Sequence, residues 1–252
     1  MYEEGEKQPK ILATLASNDN RLVYEILEKS KEKEDKYASI SLKFNGKFLT
    51  IIIKENNNEI KRISFQAVSG RPKKDNGKHY FTYEKERQML KDERPIPEGE
   101  YYITPLSENK DDGVQELSII DNIIGSVSWV LSKVKLPKRG EFYGSSFVWG
   151  TIRIPIQPKT KTFTDSEGQT ITRNNFFIHG GVEAGSAGCI DLWKDNEEFF
   201  KIFLAYVEKY RDRILKNQGK IPLVVKYEDS TKIECDNAAY TKYCKPIGKE
   251  SK

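Results

Sequence analysis

The sequence predicts a mainly β protein of α+β type, in which one long helix follows most of the strands. Short runs alternate apolar and polar residues, as in Ile40-Ser41-Leu42-Lys43-Phe44, and period-two alternation marks a half-buried strand. Tight-turn signals separate these runs, the strongest being Asn45-Gly46. Only the stretch beginning near Asp195 carries apolar residues at helical spacing over several turns. At 252 residues the chain is long enough for one substantial core with appendages.

Residues 1–36 read as an N-terminal helical arm or linker. Ile11, Leu12 and Leu15, then Leu22, Val23, Ile26 and Leu27, recur at roughly helical spacing. Ser17-Asn18-Asp19-Asn20 between them can cap a second short helix. Glu28 to Lys36 is nearly all charge and reads as a solvated helix end or linker.

The main domain spans 37–228. It opens with a β-meander: Ile40 to Phe44, the Asn45-Gly46 hairpin turn, Lys47 to Lys54, a turn over Glu55 to Asn58, then Ile60 to Val68. Ser69 to Glu93 reads as a polar loop, long enough to cover a groove, and its His79 as a surface residue. Pro95-Ile96-Pro97-Glu98-Gly99 stiffens the approach to a strand over Glu100 to Thr104, since proline cannot donate to a ladder. Asn109 to Gly113 is a turn. Glu116 to Val134 is mixed, with Gly125 arguing against one long helix, and Pro137 to Gly144 is a loop. Phe147 to Ile156 reads as a buried strand. Lys161 to Arg173 folds as a hairpin around Asp165-Ser166-Glu167-Gly168 and leads into the apolar strand Phe176 to His179.

The long helix begins at Asp195 or Asn196 as N-cap, with Glu197 and Glu198 in its first turn. Phe199, Phe200, Phe203, Leu204, Val207 and Ile214 form its buried face, docked on the sheet behind the site. Gly219 follows its end, and Ile221 to Tyr227 is the last strand. The tail, 229–252, has no clear pattern.

Composition narrows the function. A formal net charge of +4 reads as a lysine-rich solvated surface, with no call for a nucleic-acid partner. No stretch approaches the ~20 apolar residues of a membrane span, and Met1 to Lys10 lacks the apolar core of a signal peptide. None of the three cysteines has metal-finger spacing and the two histidines offer few ligands, so neither metal nor cofactor is expected. Cys235 and Cys244 either pair in an oxidising compartment or stay free.

The chemistry concentrates between Phe176 and Leu192. An apolar strand ends at His179, a glycine-rich turn follows (Gly180, Gly181, Gly185, Gly188), and Cys189 comes ten positions after the histidine. Histidine and cysteine are the minimum parts of a thiol nucleophile with its base. An imidazole takes the thiol proton or stabilises the thiolate, and a third group must hold its tautomer. Ser186 or a backbone carbonyl near it is a candidate for that group. Amides around Gly188 and Cys189 are candidates for an oxyanion hole. The base is expected to titrate near the operating pH.

Gly185-Ser186-Ala187-Gly188-Cys189-Ile190-Asp191-Leu192, preceded by a strand ending in His179-Gly180, resembles the active-site signature of L,D-transpeptidase catalytic domains. The likeness is greater to the L,D-transpeptidase-like antibacterial effectors of type VI secretion systems, whose pattern is similar also to Ile96 to Ile103 and to Trp149-Gly150 with Arg153. It covers roughly Lys43 to Tyr227. This resemblance implies an L,D-transpeptidase-like β-sandwich or barrel and an acyl-cysteine enzyme acting on peptidoglycan. The reaction implied is cleavage of stem tetrapeptides at the L–D bond, as a carboxypeptidase, a transpeptidase or a D-amino-acid exchanger. Cys189 and His179 would be catalytic with Ser186 and Gly188, and Gly180, Gly181, Ala187, Trp149, Arg153 and Asp191 would line the substrate groove. The implied partners are peptidoglycan stem peptides, a cognate immunity protein and a secretion-system component. The implied place of action is the periplasm of a target bacterium after export without a Sec signal, or the producer's periplasm if a signal was removed.

Three departures bear on the acceptor step. The His-to-Cys spacing is short, Ala187 stands where His or Arg is usual, and Asp191 stands where Arg or Asn is common. The alternatives to this enzyme are a catalytically inactive peptidoglycan-binding module and an unrelated cysteine protease or amidase.

Overall fold

Asn45 and Gly46 make the first hairpin as their chemistry requires. Gly46 sits at φ 90°, a region that costs other residues a Cβ clash, and the Asn45 Oδ1 accepts the amides of Lys47 (3.0 Å) and Phe48 (2.8 Å). The turn joins β1 (Ser39–Phe44) to β2 (Phe48–Glu55) in a register running from Ser39 opposite Lys54 to Phe44 opposite Leu49. Alternation along β1 buries Ile40, Leu42 and Phe44 on one face. Asn56 and Asn57, both at positive φ, turn the chain into β3 (Asn58–Gln66).

This computed structural model describes residues 21–28, 38–90, 94–109, 111–116, 146–164, 168–228, 232–235 and 244–247. The expected helix at Ile11 to Leu15, most of the charged run to Lys36, the mixed segment after Glu116, the loop Pro137 to Gly144 and the hairpin tip 165–167 lie outside them.

Two five-stranded sheets carry the core. The first has the order β3-β2-β1-β14-β7, where β14 (Ile221–Val225) runs parallel to β1 and β7 (Gly99–Ile103) antiparallel to β14. The second has the order β4-β13-β12-β9-β8, built from β4 (Val68–Ser69), β8 (Gln115–Glu116), β9 (Ile152–Pro155), β12 (Phe177–His179) and β13 (Ile190–Asp191). A hairpin, β10 (Thr160–Thr164) with β11 (Thr170–Asn174), stands before β12. Four more strands form a sheet ordered β16-β15-β6-β5: β5 (Lys73–Asp75), β6 (Lys78–Thr82), β15 (Lys232–Cys235) and β16 (Cys244–Ile247). The mainly β class therefore holds, and among the described residues no sheet closes into a barrel.

Several elements differ from the sequence reading. Within the expected loop 69–93, the described residues form a hairpin, β5–β6, followed by the short helix α2 (Lys85–Met89); α1 (Arg21–Glu28) precedes all the strands. The expected strand from Phe147 is instead α3 (Ser146–Trp149), then Gly150 at φ 67°, then β9. The long helix is two: α4 (Asn196–Lys209) and α5 (Arg211–Lys216), meeting at Tyr210, so Ile214 belongs to the second. Tyr210 is pinned where they meet, its hydroxyl 3.1 Å from the Glu55 carboxylate. Asp195 occupies the N-cap position of α4 without capping it, because its Oδ2 accepts the Gln66 amide at 3.0 Å. The patternless tail supplies β15, which pairs with β6, and Cys235 is disulfide-bonded; the residue opposite it in the β15–β16 register is Cys244.

One hydrophobic cluster joins these parts. Val23 and Ile26 of α1 are buried in it, against α4, so this piece of the N-terminal arm belongs to the common core. The predicted face of α4 is inside as expected, with Phe199, Phe200, Phe203, Leu204 and Val207 all buried. Phe199 stacks on Phe203 at 5.4 Å and meets Phe65 edge-on at the same distance, which locks α4 to β3. Phe203→Ala should lower unfolding free energy by roughly 3–5 kcal/mol, read from urea denaturation midpoints.

Candidate active site

Strands β12 and β13 lie side by side and parallel, with Ile178 opposite Ile190 and His179 opposite Asp191. Partners at one register point to one side of a sheet, and residues two apart share a face. Phe177 and His179 therefore share a face with Asp191, and Cys189 lies in the bend just before β13, two residues from Asp191. The pairing runs the strand that ends in His179 alongside the short strand that Cys189 leads into.

The glycine-rich loop between them is braced at several points. The Ser186 amide donates to the Gly70 carbonyl (2.9 Å), and its hydroxyl donates to the Cys189 carbonyl (2.8 Å). The Gly185 amide donates to Asp191 Oδ2 (2.8 Å), and Arg173 reaches the Ala187 carbonyl (3.3 Å). Gly188 sits at φ 122°, where a Cβ would come within 2.3 Å of the Arg173 guanidinium, so no side chain fits.

His179 is buried, and its Nδ1 lies 2.8 Å from the Gly180 carbonyl. A carbonyl only accepts, so Nδ1 carries the proton and Nε2 is left as the acceptor. The orienting group is thus Gly180, while Ser186 bonds the cysteine's own carbonyl. Gly180 must also be small, since a Cβ there would fall 2.2 Å from the Asn196 Cβ at the start of α4. That contact puts Gly180 under the helix. Asn196 itself donates to the Ile152 carbonyl (3.2 Å), tying α4 to β9.

The Cys189 thiol, also buried, makes a 3.9 Å contact with the Asn175 carbonyl, and the Phe177 amide bonds the sulfur when it is ionised. Neither nitrogen of His179 is hydrogen-bonded to it. Burial pushes the thiol up to about 12, with Asp191 adding to the rise and the Phe177 amide, Arg153 and Arg173 opposing it. Burial also pulls His179 down to about 4, helped by the charge of Arg153 and opposed by the Gly180 bond. The expectation of a base near neutrality is not met, because a dry site disfavours imidazolium and thiolate alike. Burial therefore favours the neutral thiol and imidazole over a thiolate–imidazolium pair in the resting site.

Trp149 and Arg153 are beside the pair. The Trp149 ring is 4.8 Å from the His179 ring and 5.6 Å from that of Phe177. The Arg153 guanidinium lies against both rings, 4.8 Å from Trp149 and 4.9 Å from Phe177, and its Nε donates to Gln115 (2.9 Å). Burial lowers Arg153 to about 10, which still leaves it charged at neutral pH. Ala187 is exposed and Gly181 half-buried beside the pair, whereas Asp191 has no exposed surface and cannot line a groove. Among the described residues no group of three or more His, Cys, Asp and Glu side chains could hold a metal ion, and no helix is long and apolar enough to cross a membrane.

Arg173 was not singled out from the sequence. It is buried and spends its donors on four carbonyls, those of Gln88 (3.0 Å), Pro95 (2.6 Å), Arg94 (3.2 Å) and Ala187 (3.3 Å). It clamps the cysteine loop to the segment before β7. The signal available was weak: an arginine at a β11 position sharing a face with Phe163 and Ile171.

No protein-family model matches the chain, and neither does any curated protein. Among solved structures the chain is similar to one titled as the structure of Bdellovibrio bacteriovorus Bd1075, at 14% identity and a TM-score of 0.34. The match covers 86% of this chain and 52% of the other, so the chain spans about half that structure's length.

Two buried titrations oppose each other. The folded state keeps His179 neutral, so stability is lost as pH falls from 6.5 towards 4, where the unfolded state alone binds the proton. Burial raises Asp191 from 3.8 to about 7, so stability is lost as pH rises through that window, where the unfolded state alone ionises. Urea midpoints of His179→Gln should therefore fall from about pH 4 to 7, and those of Asp191→Asn should rise over the same range. The wild type should be flatter than either.

Proposed function

We propose that the chain is a peptidoglycan-modifying cysteine enzyme that cleaves stem tetrapeptides at the L–D bond through an acyl-Cys189 intermediate. The observation that supports this is the parallel pairing of β12 with β13, which runs the strand ending in His179 beside the one that Cys189 leads into, with Nε2 left to accept. The motif resemblance supplies the substrate, and the L,D-transpeptidase-like fold belongs to the same proposal.

The neutral resting pair constrains the chemistry. Sulfur attacks the carbonyl carbon of the L-centre as the thiol proton passes to His179 Nε2, in one concerted step. The tetrahedral intermediate collapses with cleavage of the C–N bond, and His179 returns the proton to the departing D-amino acid. Water then attacks the thioester, His179 takes its proton, and the thiol is regenerated with the carboxylic acid as product. An amine in place of water gives transpeptidation or exchange. Amides near Gly188 and Cys189 would hold the oxyanion, and Arg153 beside Trp149 supplies positive charge at the groove.

The narrower reading, an antibacterial effector acting in a target periplasm with a cognate immunity protein, is supported by the flanking motifs. The disulfide-bonded Cys235 fits an oxidising compartment. One observation favours a second reading, an inactive peptidoglycan-binding module: the thiol is protonated, buried and not bonded to the imidazole.

Mass spectrometry of tetrapeptide muropeptides decides between them. Wild type should release the terminal D-alanine, and Cys189→Ala should lose at least ~1,000-fold in rate. Cross-linked dimers or incorporation of added D-amino acid would mark transfer instead. Unchanged muropeptides, with sacculus binding equal in both proteins, would sink the enzyme in favour of the binding module.

A further inference from the structure

Asp191 stands out among the buried groups that this mechanism leaves unused. It is fully buried, and its two oxygens accept one amide each: Gly185 on Oδ2 and Trp193 on Oδ1, both at 2.8 Å. The first bond spans the loop that carries the nucleophile, joining its approach at Gly185 to its exit at β13. The side chain shares a strand face with His179, its register partner, and lies two residues from Cys189, on whose thiol its charge acts.

We propose that Asp191 is a positioning residue: its carboxylate closes the Gly185–Cys189 loop onto β13 and, as a buried negative charge two residues from Cys189, opposes ionisation of the thiol. The turnover arm of this inference rests on Cys189 being the nucleophile proposed above; the loop and its electrostatics do not. The charges facing the region come from several elements. His179 on β12 is neutral, Arg153 on β9 and Arg173 on β11 act on Cys189, and Tyr83, hydrogen-bonded to the Ser69 amide of β4, stays neutral because burial raises it. Burial raises Asp191 to about 7, so its charge changes within the working range. A protonated Asp191 gives up one acceptor and relieves the thiol; an ionised one holds both amides and opposes thiolate formation.

Two consequences move in opposite directions. Asp191→Asn keeps the shape but removes the charge and one acceptor. Iodoacetamide labelling of Cys189, followed by peptide mass spectrometry, should then be roughly threefold faster at about pH 8, the effect of lowering a thiol pKa by half a unit. Release of D-alanine should fall roughly tenfold as the loop loosens. Wild-type labelling plotted against pH should also flatten around the Asp191 titration, and the variant's should not. A residue that merely supports the fold would move neither the labelling slope nor the thiol pKa. Superimposable labelling profiles, with both proteins folded by circular dichroism, would overturn the proposal. Should Asp191→Asn fail to fold, the wild-type profile alone decides: a bend near 7 supports the proposal and a straight line overturns it. Labelling that behaves as expected in a protein releasing no D-alanine would remove the peptidoglycan reading and leave the Asp191 assignment standing.

Discussion

Register between two short parallel strands governs this molecule's chemistry. β12 has three residues and β13 two, yet their pairing places His179 opposite Asp191 and brings the loop carrying Cys189 alongside. A slip of one residue would turn one of these sets to the other side of the sheet. The surroundings restrain that slip. β4 and β9 flank the pair, Asn196 packs against Gly180, and the carboxylate of Asp191 fastens the loop.

Polar side chains placed inside the protein do much of this fastening, and each is matched to backbone groups. Arg173 takes carbonyls from three segments, and Asp191 takes amides from both sides of β13. Buried charges are tolerated only with such hydrogen bonding, because desolvation otherwise costs more than the contact returns. Both residues replace flexible loop closure with specific bonds beside Cys189. Glycine does the complementary work, since at Gly180 and Gly188 the neighbouring side chains leave no room for a Cβ.

The dryness that makes these bonds strong also sets the resting state of the pair. The thiol and imidazole are both neutral, and the positive charges nearby belong to two arginines whose donors are engaged in structural bonds. In such a site a charge that develops only during reaction meets dipoles already in place, which is where preorganisation is most effective. Under the proposed mechanism, bound substrate would align the thiol with Nε2, as catalytic bonds are often loose in free enzymes.

Local physics made much of the protein legible. Asn45-Gly46 fixed the first hairpin, alternation marked β1 to β3, and helical spacing marked the buried face of α4, because each depends on neighbours a few residues away. His179 and Cys189 were visible as a pair for the same reason: a strand, a glycine turn and a thiol lie in one short stretch. Tertiary structure decided what depends on distant groups. It chose the Gly180 carbonyl over Ser186 to orient the imidazole and drew Asp191 out of the expected groove into the interior. It also split the long helix at Tyr210, bonded to Glu55, and recruited the patternless tail to pair with β6. Burial and long-range hydrogen bonding are properties of the folded whole, and no window of sequence contains them.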